Sequence, residues 1–180
     1  MNETYKVQVQ DLVDDLKAVF THAGLGGEAG EYKLLTQSFL YKFLNDKFLY
    51  QAKVLDESNT YVNLLAMGED DYDWLLEDIG TSTAWLKPDQ LIETLHRQQN
   101  EATFYESFEN TLNQIAIDNN DIFSVHTDGD TAIRLFDERL ITDTISDSSK
   151  RNEVAKAIIN LLARVKFDET IFSQGFDFFS

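Results

Sequence analysis

The chain has 180 residues, no Cys, a single Pro and a formal net charge of −17. That length supports one domain able to bury about 70% of its extended surface without staples, and the missing Cys excludes a disulfide framework and any thiolate-held metal. A free-standing nucleic-acid binder presents a basic face, so this balance excludes strong non-specific attraction to phosphate.

No run approaches the roughly 18 apolar residues of a membrane span, and the polar opening MNETYKVQVQ lacks the basic-then-apolar order of a secretory signal. The expectation is a soluble cytoplasmic domain with no membrane partner. The charge is unevenly spread. Val54 to Leu86 carries eight acids and no base, Gln98 to Thr131 carries seven acids and no base, and Arg134 to Lys166 carries seven bases against five acids.

In chain order, Val9, Leu12, Val13, Leu16, Val19 and Phe20 follow the three-four spacing of one helix face across Lys6 to His22. Gly24, Gly26 and Gly27 then stop that helix, because Gly accepts the left-handed conformation found at helix ends. A second helix spans about Gly30 to Lys53 and contains FLYKFLNDKFLY, Phe39 to Tyr50. Its two FLY triplets are nine positions apart, roughly 180° around a helix. A helix apolar on opposite sides belongs between neighbours, as the spine of a helical domain.

Glu57 to Gly68 reads as irregular. Asp70 to Asp78 reads as a short acidic helix that turns Tyr72, Leu75, Leu76 and Ile79 inward. Pro88 opens DQLIETLHRQQN as one helix, since a first-turn Pro lacks only an N–H that has no helical partner. Thr103 to Asn119 is a further amphipathic helix burying Phe104, Phe108, Leu112 and Ile115. IFSVHTDGDTAIRLF contains Asp128 and Gly129 between two β-branched runs, which signals a small β-hairpin near 122–135 or an ordered loop between helices. The last full helix, Ser149 to about Lys166, sets Val154, Ile158, Leu161, Leu162 and Val165 on its apolar side, with Ser148 or Ser149 as cap. The fold class is therefore mainly α: one helical-bundle-like domain of about six helices. The apolar tail TIFSQGFDFFS reads as a chain cut inside an element.

Catalytic constellations are sparse. His22, His96 and His126 have no metal-ligand spacing, and Asp128 with Asp130 lacks the later acids of a Ca²⁺ loop, leaving a turn as the better reading. HAGLGGEAGEYK lacks the Lys-Ser or Lys-Thr ending of a phosphate loop, so a helix stop explains its glycines. Asp14 with Asp15 and Asp70 with Asp71 are adjacent acids on solvated faces rather than acid/base pairs. No catalytic, cofactor or metal residue is nominated.

Two blocks carry a resemblance. The first combines Glu31, Tyr32 and Lys33 with Phe39, Leu40, Lys42, Phe43, Leu44, Asp46, Lys47 and Phe48, and the second is SDSSKRNEVAKAIINLLARVKFDE followed by FDFFS. Together they resemble the N-terminal helical domain of modification (M) subunits in type I restriction–modification systems. The resemblance implies that residues 1–166 are that domain and that 167–180 start the connection into a methyltransferase domain absent from this chain. It implies a parent enzyme that methylates adenine N6 in DNA using S-adenosylmethionine. The Asn-Pro-Pro-aromatic loop that such enzymes close on adenine cannot occur in a sequence with one Pro, so this piece is expected to be non-catalytic and to need no cofactor of its own. Implied partners are the specificity and restriction subunits, with DNA in the assembled complex.

Lys150, Arg151, Lys156, Arg164 and Lys166 cluster in the least acidic third and are the candidate DNA or partner contacts, although Lys150, Lys156 and Arg164 do not share one clean helical stripe. Two other readings compete. One is a stand-alone acidic interaction module or DNA mimic, motivated by the base-free stretches. The other is a small DNA-binding regulator, for which only LHRQQN, Leu95 to Asn100, resembles a recognition helix.

Overall fold

A computed structural model describes residues 3–123, 125–126, 132–167 and 169–173. The first helix, α1 (Glu3–His22), turns Tyr5, Leu12, Leu16 and Phe20 into the interior. It ends as the glycines predict. Leu25 N–H donates to the Phe20 carbonyl at 2.8 Å and Gly24 N–H to the Thr21 carbonyl at 3.0 Å, with Gly24 at φ 84°. Both hydrogen bonds together form the six-to-one and five-to-two closure that satisfies the last carbonyls of a helix.

The long helix α2 (Ala29–Leu55) is buried without interruption from Leu40 to Asn45. Its rings reach three ways. Tyr41 meets Phe108 and Phe136, with centroids 6.3 and 6.5 Å away, and Phe48 meets Tyr72 at 6.5 Å. Phe43 and Tyr50 meet Phe172, each at 5.6 Å. The doubled FLY motif is thus a helix surrounded by neighbours, for which one apolar stripe would not suffice.

The segment expected to be irregular contains a short helix, α3 (Tyr61–Ala66), capped by Thr60, whose Oγ1 accepts Asn63 N–H at 3.4 Å. Leu64 is its only buried residue, too few to produce a periodic signal. Next, α4 (Glu69–Ile79) buries Tyr72, Leu75, Leu76 and Ile79, the four residues expected.

The helix expected after Pro88 is divided into a 3-10 turn (Pro88–Gln90) and α5 (Ile92–Arg97). Leu91 between them is extended and fully buried. The break arises from packing, because Asn45 Oδ1 of α2 accepts Ile92 N–H at 2.9 Å. Downstream, α6 (Phe104–Asp118) buries Phe104, Phe108, Leu112 and Ile115 and is followed by α7 (Asn120–Phe123).

Two-residue strands β1 (Val125–His126) and β2 (Ala132–Ile133) pair antiparallel, Val125 opposite Ile133 and His126 opposite Ala132. The expected turn at Asp128 and Gly129 lies outside the described residues, as does the FDFFS tail. Two short helices, α8 (Leu140–Thr144) and α10 (Thr170–Ser173), flank α9 (Ser148–Arg164). Asp147, not Ser148 or Ser149, caps α9: its carboxylate accepts Ser149 N–H at 3.0 Å and the Ser149 hydroxyl at 2.6 Å. Those two bonds hold the Asp147 carboxyl below its ordinary range.

The chain forms one mainly helical domain in which α9 packs on α1, α5, α6 and α8, and α2 packs on α1, α4, α8 and α9. Five of the expected helices are continuous rods, the sixth is divided, and α3, α7, α8 and α10 are additional. No described helix is long and apolar enough to cross a membrane.

Candidate functional site

Lys42, Asn45 and Asp46 interrupt the apolar run of α2 at the spacing that places side chains on one helix face. All three turn inward. The Lys42 side chain is only 4% exposed; its Nζ lies 3.0 Å from Asp46 Oδ2, donates to the Val165 carbonyl at 2.6 Å and sits 5.5 Å above the Phe167 ring. Asn45 Nδ2 donates to Asp46 Oδ1 at 3.0 Å while its Oδ1 holds Ile92. The trio therefore ties α2 to the end of α9 and to the start of α5. A cation at the carbonyl end of α9 also complements that helix's dipole.

Burial sets the electrostatics of this cluster. Loss of water pushes the Lys42 ammonium down and the Asp46 carboxyl up, each partly offset by the other's charge. Burial and the Asp46 carboxylate together push the Tyr5 phenol up to about 12. A groove of about 440 Å³ runs beside the trio, with Tyr61, Lys166, Phe167 and Phe172 on its walls. Lys42 and Asp46 spend their hydrogen bonds on the fold, so the cluster acts as a clamp rather than as an acid/base pair.

The five basic residues singled out by sequence are dispersed. Arg151 serves the fold: its Nε donates to the Ile145 carbonyl at 2.9 Å, its Nη2 to the Thr142 carbonyl at 3.4 Å, and its guanidinium lies 5.7 Å from the Tyr105 ring centre. Arg164 reaches Asp15 of α1 at 3.8 Å with both side chains more than half exposed, a contact of small energetic weight. Lys166 is exposed on the groove, and its carbonyl accepts Gln8 Nε2 at 2.7 Å. Lys150 is exposed and Lys156 half-exposed on the outward side of α9. With Arg164 they span roughly 120° of the helix and about 20 Å of its length. No single phosphate-tracking ridge results.

A second basic group was not visible in the sequence. Lys33, Arg134 and Arg139 line an open cleft of about 1030 Å³ between the α1–α2 turn and the segment leading into α8. Each has an acid beside it: Asp137 at 3.2 Å from Lys33, Glu138 at 3.8 Å from Arg134 and Asp143 at 4.0 Å from Arg139. The cleft is charged but internally compensated.

His22 is exposed and His96 half-buried. The side chains of His126, Asp128 and Asp130 lie outside the described residues. Among the described residues no three His, Asp or Glu side chains are grouped to hold a metal ion. Gly24 and Gly27, at φ 84° and 80°, serve the helix stop and the turn into α2, and Glu31 accepts Gly27 N–H at 2.7 Å. The acids of α4 are all exposed, and among them stands an exposed Trp74. Compared with known protein families, with characterised proteins and with solved structures, the chain matches none.

Proposed function

We propose that this chain is a non-catalytic helical assembly domain of the kind found at the front of type I restriction–modification M subunits. In that reading the parent protein is a cytoplasmic, S-adenosylmethionine-dependent DNA adenine-N6 methyltransferase. The cofactor and the adenine loop belong to the domain expected after residues 167–180. The domain's work is to assemble with the specificity subunit, alongside the restriction subunit, and to close around DNA.

The observation supporting this reading is that the two blocks of resemblance meet in space. Lys42 of the first donates to Val165 of the second, and Phe39 of the first lies 6.1 Å from Phe167 of the second. Motifs about 120 positions apart thus form one packing unit. The dispersed bases on α9 fit DNA contact arranged by partner subunits better than independent DNA binding.

The competing reading, a stand-alone acidic interaction module, draws on the exposed carboxylates of α4. Co-expression of the full gene product with the specificity subunit that this reading requires separates the two. A co-eluting complex that methylates adenine with added S-adenosylmethionine is expected. Failure to associate with a specificity subunit, or methyl transfer by the 180-residue chain alone, would overturn the proposal. So would sub-micromolar binding of that chain to plain duplex DNA at low salt, which is the signature of the regulator reading.

A further inference from the structure

Trp74 stands on the side of α4 that faces away from the core. It is two residues from both Tyr72 and Leu76, which are buried, and two steps turn an α-helix by about 200°. The indole is 66% exposed. Its four neighbours on the helix surface, at i−4, i−3, i+3 and i+4, are Asp70, Asp71, Glu77 and Asp78. A large ring held in water within four carboxylates contributes nothing to the core of this domain.

The charges of α4 are unbalanced within the isolated chain: Glu69, Asp70 and Asp71 suit the positive end of the helix dipole, but the helix carries no base. Glu69 with Asp73, and Asp73 with Glu77, are like charges at i,i+4, which destabilise a helix. Glu77 and Asp78 also lie in the last turn, against the negative end of the helix dipole. None of the ion pairs among the described residues involves an acid of α4. Two residues before α4, helix α3 presents Val62 and Leu65, 63% and 47% exposed and three positions apart on one face.

We propose that the outward face of α3 and α4, centred on Trp74, is a docking surface for a Lys- and Arg-bearing amphipathic segment of a partner protein. The partner's cations meet the carboxylates and the indole face, since Trp is the strongest aromatic partner for a cation. Its apolar side chains cover Val62 and Leu65. Trp is also among the residues that most often dominate binding energy at protein interfaces. Charge selects the occupant: nucleic acid and anionic lipid are repelled by this face, and a second copy of the chain would bring the same carboxylates and the same net charge of −17. The inference does not depend on the restriction–modification reading.

The test is binding of a synthetic Lys/Leu peptide with helical amphipathicity to the full chain, followed by calorimetry and Trp emission. A scrambled peptide of identical composition serves as comparison. Expected results are a blue shift in emission, an affinity that falls as salt rises, and at least tenfold weaker binding for Trp74→Ala and for Asp70→Lys with Asp78→Lys. Far-UV circular dichroism of these variants should match wild type, because the replaced side chains are exposed. Glu101→Gln with Glu106→Gln, in the other base-free stretch, should leave affinity within twofold. Equal binding by Trp74→Ala, equal binding of the scrambled peptide, or equal weakening by the Glu101 and Glu106 pair would overturn the proposal. A concentration-dependent dimer lost in Trp74→Ala would assign the face to a second copy of the chain and overturn it as well.

Discussion

Lys42 and Val165 are 123 positions apart in the chain, yet the ammonium of one donates to the carbonyl of the other at 2.6 Å. The same ammonium holds Asp46 at 3.0 Å. The end of α9 is therefore fastened to the middle of α2 by a buried charge, and the two helices depend on each other through it.

Lys42→Ala leaves the Asp46 carboxylate buried beside an unfilled space. We expect a loss of about 3–5 kcal/mol, typical when one partner of a buried pair is removed. Lys42→Met combined with Asp46→Leu should recover most of that loss, because the uncompensated charge disappears with the pair. Urea unfolding followed by far-UV circular dichroism measures both.

Phe167 packs against Tyr5 at 5.5 Å and Phe39 at 6.1 Å, beneath the Lys42 ammonium. Phe167→Ala should cost about 3–5 kcal/mol, the range for truncating a buried Phe. Its effect should not add to that of Lys42→Ala, since residues in contact couple by about 0.5–3 kcal/mol. Trypsin should cut after Lys166 sooner in the variant. Strict additivity in the double-mutant cycle would show that the two side chains act separately.

Glu109 of α6 is buried and caps α8 from outside. Its Oε2 accepts Ile141 N–H at 3.1 Å and Thr142 N–H at 3.0 Å, and its Oε1 accepts the Thr142 hydroxyl at 2.8 Å. Glu109→Ala removes both acceptor oxygens and leaves the Ile141 and Thr142 N–H groups without their partner. A loss of about 1–3 kcal/mol is expected from the unsatisfied groups. Hydrogen exchange should show Ile141 and Thr142 losing protection while the amides in the middle of α1 keep theirs relative to global unfolding.

Three of the seven tyrosines hold their protons tightly. Burial first, then an acidic neighbour, pushes Tyr5 up to about 12 and raises Tyr41 and Tyr72 above the ordinary value of 10.0. Tyr41 donates to the Gln90 carbonyl at 2.6 Å, and Tyr72 donates to the Leu86 carbonyl. The folded state binds these protons more tightly than the unfolded chain. Their contribution is thus complete below pH 10 and is lost as pH rises through 12 and beyond. Phenolate absorbance should stay short of its seven-tyrosine value until helix is lost. Full ionisation with the helix signal intact would contradict the burial of these rings.

The helical wheel of α4 made both of its faces legible. The spacing that turns Tyr72, Leu75, Leu76 and Ile79 inward also sets Trp74 outward, so the signal for an exposed indole was present in the sequence. Lys42 was different. A Lys inside an aromatic helix reads as a solvated interruption, and nothing within one turn of it discloses a carbonyl at Val165. Arg151 misled for the same reason: it belongs to the most basic stretch, but its guanidinium is occupied by the carbonyls of Thr142 and Ile145.

The amino-acid order alone determined where the long helices run and which arc of each is covered, because apolar periodicity and glycine stops act within a few residues. Packing alone decided the break at Leu91 and the inward turn of Lys42, Asn45 and Glu109. A polar side chain takes the unsatisfied group that the fold brings within about 3 Å, and that group belongs to whichever element the core has placed there.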